Sequence, residues 1–222
     1  LGIRFINGAE ITSDFYGREA HVLAYAFNAE SNVLKQFLNE QAQLRINRIH
    51  SMLEKLAEMG VHLSYETIKQ YSGEGSIGRP HLAKAIVEAG FAKSMGEAFA
   101  KYIGNHSPAY FKSAHPDYKQ VIQTIHAASG LAILAHPGLS YTEKELNDWI
   151  LQGIDGFEMI HPRHPYHLQT KFEKLANEYG LIKTGGSDFH GFYSKDHVYF
   201  GVVTINTLLA QKLVHLQSQN AN

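Results

Sequence analysis

The chain has 222 residues, 44% of them apolar, and a formal charge of −1 with histidine neutral. That is enough for one large domain or a domain with a smaller insert, and it argues against a general polyanion-binding surface. Cysteine is absent, which excludes disulfides and thiolate metal sites, while fourteen histidines leave imidazole and carboxylate as the ligands available to a transition metal.

The start, "LGIRFINGAEI", has no Met, no basic n-region and no signal-like stretch, and it reads as a beginning in mid-domain. Residues 3–11 and 20–27 are rich in Ile, Phe, Val, Tyr and Leu, with "SDFYG" between them, and predict a hairpin. "SNVLKQFLNEQAQLRINRIHSMLEKLAEMG" carries Leu34, Phe37, Leu38, Leu44, Ile49, Leu53 and Leu56 at roughly helical spacing, with Gly60 as its stop. Residues 64–104 predict short helices: "SYETIKQYS" from Ser64, "RPHLAKAIVEAG" with Pro80 early and Gly90 at its end, then "SMGEAFAKYIG". Alternation is nearly absent there, which suggests a separate helical insert.

The remainder is more regular. "LAILAHPG", "IDGFEMIHP", "LIKTGGSDFHG" and "HVYFGVVTI" predict strands. "TEKELNDWILQG", capped by Thr142 with Glu145, "PYHLQTKFEKLANEYG", closed by Gly180, and "NTLLAQKLVHLQ" predict helices. Strand and helix in alternation imply a parallel sheet or barrel. No window approaches the roughly eighteen apolar residues of a membrane span. The cytoplasm is the default compartment, and no stable protein partner is evident.

Three places carry candidate chemistry. Glu10 and His21 are equidistant from a turn centred between Phe15 and Tyr16, so symmetric pairing sets them directly opposite, with Cβ atoms about 4.5–5.5 Å apart. They could ligate one ion; on the hairpin alone, an ordinary cross-strand polar pair is the simpler reading. His136 follows the strand "LAILA" directly, at the carboxyl end where αβ folds place ligands. Asp188 and His190, two apart in an extended segment, can face one site beyond the strand "LIKT", where Gly185 and Gly186 permit close backbone approach. Together these five residues form a ligand set for a hard or borderline divalent cluster, such as Mn²⁺, Fe²⁺ or Zn²⁺. A bridging Glu between two ions would suit two-metal hydrolysis of a phosphate ester.

The pieces "GAEIT", "REAHVLAY", "GRPHLAKAIVEAG", "LAHPG", "GFEMIHPRH" and "TGGSDFHG", in this order, resemble the PHP family (polymerase and histidinol phosphatase), specifically its small metal-dependent phosphoesterases. The resemblance spans nearly the whole chain. It implies an α/β fold, a distorted (βα)₇ TIM-like barrel with an inserted helical domain: residues 1–44 and 113–222 as barrel, 45–112 as insert. It also implies up to three divalent ions, with Mn²⁺ foremost and Fe²⁺, Zn²⁺ or Mg²⁺ as other candidates. By position Glu10 bridges two ions, His21 and His136 complete the shell of the second, Asp188 binds the first and His190 the third. His190 and His136 are the candidates for assisting proton transfer. The family's opening strand, with His-x-His and a following Asp, and its Thr-Asp-His-Asp segment do not occur here. On that basis the first two βα units are expected to be missing, with the first and third ions short of ligands and a barrel edge exposed.

Arg79 and His81 in "GRPH" are candidates for substrate binding, Arg through its bidentate fork. His161 and Arg163 in "IHPRH", just beyond a strand end, are further candidates. Glu158 is expected to stabilise the barrel mouth and is not a ligand. His164 and His167 are expected at the exposed start of a helix, and His50, His62, His106, His115, His126, His197 and His215 in structural or surface roles. The resemblance implies hydrolysis of nucleoside 3′,5′-bisphosphates or short 5′-phosphorylated oligonucleotides. Near-neutral charge suits such small or short single-stranded RNA or DNA substrates better than long duplexes. Histidinol-phosphate phosphatase and polymerase-associated exonuclease fit the same site, and a catalytically silent metal- or nucleotide-binding fragment is the alternative of another class.

Overall fold

Alternation shapes the first two strands. β1 (Gly8–Phe15) buries Ile11, Ser13 and Phe15, and β2 (Arg18–Tyr25) buries Ala20, Val22 and Ala24, so the intervening residues of both share the other face. The structure is a computed structural model that describes residues 5–73, 75–191 and 195–220. A two-residue turn joins the strands: Tyr16 and Gly17 have φ of 51° and 84°, the pair of positive values that matches the twist of a tight hairpin. Asp14 Oδ1 accepts the Gly17 N–H at 2.8 Å. The turn centre therefore lies one residue later than the sequence suggests, and the register pairs Glu10 with Leu23 and Thr12 with His21. Glu10 and His21 are diagonal neighbours on one face, not direct partners.

The chain divides into two compact units. One comprises the segments up to Lys35 and from His115 onward, the other Gln36–Ala114, and the first boundary falls inside the long helix α1 (Asn32–Glu58). In the first unit the strands lie in sequence order, β1-β2-β3-β4-β5. β3 (Leu131–Leu134) runs antiparallel to β2, whereas β4 (Gly156–Ile160) and β5 (Ile182–Gly185) continue in parallel. Among the described residues the sheet thus has five strands, a mixed α/β sheet; the family resemblance implies a seven-unit barrel lacking its first two units.

The parallel part is built by crossover helices. α5 (Tyr118–Ala127) precedes β3, α6 (Glu143–Leu151) links β3 to β4, and α7 (Tyr166–Tyr179) links β4 to β5. At the start of α6, Thr142 Oγ1 accepts the Glu145 N–H while Glu145 Oε2 accepts the Thr142 N–H, satisfying two donors that the helix leaves open. The core behind the hairpin is aromatic: Phe15 stacks on Trp149 with centroids 4.9 Å apart and meets Tyr118 edge-on at 4.8 Å. Strands β4 and β5 approach closely, because a Cβ on Gly185 would lie 2.4 Å from the Ile160 carbonyl oxygen.

Residues 197–205 do not form the expected strand. Lys195–Tyr199 is a 3₁₀ turn, and the backbone continues in local bonds such as Val202 N–H to Tyr199 O at 3.0 Å. β propensity in "HVYFGVVTI" acts only through pairing with another strand, and here the residues bond locally instead. α8 (Thr207–Asn220) closes this unit.

The second unit is helical among its described residues. It contains most of α1, then α2 (Tyr65–Ser72), α3 (Arg79–Glu88), and α4 (Met95–Ala98) running into a π turn at Phe99–Ile103. Its own core includes Ile49, Met52, Leu56, Ile68, Leu82 and Ile86. Ser64 Oγ accepts the Thr67 N–H and caps α2. The Gly78 N–H donates to His81 Nδ1 at 3.1 Å, so the imidazole itself secures the start of α3.

Candidate metal centre

Glu10 and His21 stand on the face of the hairpin turned away from the aromatic core. His136 comes two residues after β3, in a backbone held at φ 28°, and Asp188 follows β5 with φ 52°. Such values are rare outside glycine and mark positions where other contacts overrule local preference. At His136 the contact is visible: its N–H donates to Glu158 Oε2 at 2.7 Å. A second brace lies behind it. His164 Nδ1 donates to the Met159 carbonyl at 2.9 Å, and His164 Nε2 accepts the Gly138 N–H at 3.1 Å. His164 is only 4% exposed, so its expected place at an exposed helix start is corrected: both ring nitrogens are used, which draws it into the interior.

The candidate ligands converge on Glu10. Its Oε1 lies 2.8 Å from His21 Nδ1 and 3.3 Å from His136 Nε2, and these two nitrogens are 3.3 Å apart. Donors about 2.1 Å from a tetrahedral ion stand about 3.4 Å from one another, so the spacing fits a small divalent cation. A second group, Glu10, Asp188 and His190, also has its ligand atoms within 4.8 Å of one another. Glu10 is common to both. His190 Nδ1 donates to the Asp188 carbonyl at 2.7 Å, which leaves His190 Nε2 as the free lone pair. All five residues proposed as ligands from the sequence therefore lie around one carboxylate.

The electrostatics match a site organised for positive charge. Hydrogen bonds from His136 and His21 hold the Glu10 carboxyl well below the usual carboxylate range. The bond to Glu10, and a second to Glu19, push His21 up to about 9. Burial pushes Glu158 up to about 7, with the carboxylates of Asp188 and Glu10 adding to the shift. Burial pulls His161 down to about 4, so that ring is neutral. His161 Nδ1 accepts the Arg163 N–H at 3.1 Å, which puts the ring proton on Nε2. That atom is buried without a hydrogen bond and faces Asp188 Oδ2 at 3.4 Å. Arg163 is exposed, with its guanidinium 3.8 Å from the same oxygen.

Arg79 and His81 stand on the helical unit. Arg79 Nη1 donates to Asn105 Oδ1 at 2.8 Å, and its guanidinium lies 5.5 Å from the Tyr110 ring centroid. Burial, with Lys69 and Lys84 nearby, lowers the pKa of His81. One contact at the hairpin escaped the sequence reading. Glu19 Oε1 lies 3.2 Å from His21 Nε2, and Glu19 Oε2 lies 3.5 Å from His115 Nε2. The alternation in "REAH" already placed Glu19 beside His21; His115, in a loop, gave no such signal.

Comparison with known proteins decides the family. No protein-family model matches the chain. Over 196 residues it is 32% identical to the 5′-3′ exoribonuclease of Haemophilus influenzae, covering 86% of this chain and 71% of that protein. The chain belongs to this family of PHP-like phosphoesterases. A second relative, the 3′,5′-nucleoside bisphosphate phosphatase of Chromobacterium violaceum, is 26% identical over 85% of this chain and 68% of its own length. The fold is shared with a candidate metal-dependent phosphoesterase from Bifidobacterium adolescentis, at a TM-score of 0.84, 24% identity, 97% of this chain and 77% of that one. No helix among the described residues is long and apolar enough to cross a membrane.

Proposed function

We propose that the chain is a metal-dependent phosphoesterase that hydrolyses phosphate esters of small nucleotides, such as nucleoside 3′,5′-bisphosphates, or of short 5′-phosphorylated oligonucleotides. The observation that carries this is the double membership of Glu10: one carboxylate serves two potential ligand groups, as a bridging residue of a multi-ion site must. The names of the relatives in Haemophilus influenzae and Chromobacterium violaceum support the nucleotide class.

Glu10, His21 and His136 would hold one ion, and Glu10, Asp188 and His190 another. The mixed nitrogen and oxygen donors, without thiolate, suit Mn²⁺, Fe²⁺ or Zn²⁺, with Mg²⁺ favouring an all-oxygen shell. A bound divalent ion supplies Lewis-acid charge at the phosphoryl group. The chain's own residues supply the rest. His161 turns its neutral Nε2–H toward Asp188, and Arg163 offers an exposed cation on the same side for phosphoryl oxygens. His190 Nε2 holds the unprotonated lone pair at the mouth and can take a proton where it is not occupied as a ligand; His136 is the second candidate for that role. Arg79 and His81 belong to this reading as substrate contacts through the family resemblance. The five described strands then form part of the distorted barrel that the resemblance implies.

The test is turnover with Mn²⁺. Release of inorganic phosphate from adenosine 3′,5′-bisphosphate, and of mononucleotide from 5′-phosphorylated RNA, is expected, and Glu10→Gln should lower it at least about a hundredfold, the several kcal/mol that metal positioning provides. A metal-loaded chain that cleaves neither substrate would make it a silent binding protein and end this reading.

A further inference from the structure

Metal binding uses one edge of His21 and leaves the other to be explained. Nδ1 faces Glu10 and His136, while Nε2 stands 3.2 Å from Glu19 Oε1. Glu19 and His21 flank the buried Ala20 on β2, so strand alternation sends both side chains to the same face. The carboxylate is in turn approached from outside the hairpin, by His115 Nε2 at 3.5 Å from its second oxygen. It therefore has a partner on each oxygen, from two separate segments of the chain.

We propose that Glu19 is a positioning residue for His21. Without an ion Nδ1 donates to Glu10; with an ion bound, Glu19, by accepting the Nε2–H, would set the tautomer in which Nδ1 is unprotonated and directed at the ion between Glu10 and His136. An imidazole that ligates through Nδ1 must carry its proton on Nε2, and a carboxylate there fixes the ring plane and raises the basicity of the ligating nitrogen. His115 keeps the carboxylate from rotating away. This inference rests on the reading that His21 holds an ion. A merely structural role predicts something different, because Glu19 is 61% exposed and a solvated ion pair of this kind adds little to stability.

The experiment is Mn²⁺ titration calorimetry of the full chain as wild type, Glu19→Ala, Glu19→Gln, Glu19→Met and His21→Ala, with the melting temperature of the metal-free proteins as control. Glu19→Ala and the similarly sized Glu19→Met should bind Mn²⁺ about 10- to 100-fold more weakly, with little change in melting temperature. Glu19→Gln, whose amide oxygen still accepts the Nε2–H, should recover part of the loss. With diamagnetic Zn²⁺ bound, nitrogen-15 histidine spectra should show a protected Nε2 proton on His21 in wild type that is lost in Glu19→Met. Unchanged Mn²⁺ affinity in Glu19→Ala and Glu19→Met, with affinity lost in His21→Ala, overturns the positioning role alone. Unchanged affinity in His21→Ala overturns the metal centre itself, and the role of Glu19 with it.

Discussion

His164 offers a sharp test of how the loop carrying His136 is held. Its ring spans two backbone groups, the Met159 carbonyl at 2.9 Å and the Gly138 N–H at 3.1 Å, and it packs on Phe172 with centroids 5.6 Å apart. Replacing it with leucine keeps apolar bulk but strands both polar partners. A buried unpaired group costs about 1–3 kcal/mol. The Met159 bond is fully buried, whereas the Gly138 bond is only partly so. The two losses together should therefore come to about 2–4 kcal/mol. Urea denaturation of the metal-free protein measures this directly. The repair variants separate the two bonds: His164→Asn can donate to Met159 from its amide and should recover part of the stability, and His164→Gln can accept from Gly138 and should recover less. A His164→Leu protein within about 0.5 kcal/mol of wild type, inside the range of ordinary surface substitutions, would refute the view that this ring ties the β3 and β4 loops together.

Two further outcomes can be checked on the metal-free protein. Gly185→Ala places a Cβ 2.4 Å from the Ile160 carbonyl oxygen, so β4 and β5 must separate at the base of the Asp188 segment; denaturation should show a loss of about 1–3 kcal/mol, and no loss would mean the strands are not in such close contact. His126, 2.8 Å from Asp155, has its pKa raised first by that bond and then by the charge of the carboxylate. A raised value in the folded state means the pair stabilises fully below the unfolded value near 6.5 and loses its contribution as pH rises through the folded value. The stability gap between wild type and His126→Ala, held under about 1 kcal/mol by solvent screening, should shrink from pH 6 to pH 9; a gap that widens would reverse the assigned sign.

Much of this protein is legible from local pattern. The caps at Ser64 and Thr142, the stop at Gly180 and the alternation of both hairpin strands follow from interactions a few residues long, so the residue types declare them. The candidate ligands were legible for the same reason: His136, Asp188 and His190 lie just past apolar strands, where an αβ sheet gathers its chemistry. What failed was whatever depended on a distant partner. "HVYFGVVTI" has strand composition, yet its residues bond locally and do not pair with either outer strand of the sheet. The turn centre lies one residue later than expected, which moves the partner of Glu10 by two residues, from His21 to Leu23, because Tyr16 and Gly17, and not Phe15 and Tyr16, accept the two positive φ angles of the turn.

The sequence by itself determined the donors available, imidazole and carboxylate without thiolate, and that His136, Asp188 and His190 follow strand ends. Only the tertiary structure decided that Glu10 stands between two candidate ligand groups, that Glu158 and His164 brace the His136 loop, and that Glu19 and His115 back His21. The reason is physical: periodicity reports the face of an element on which a side chain lies. The distance between side chains on different elements is set by register and packing, which no single segment encodes.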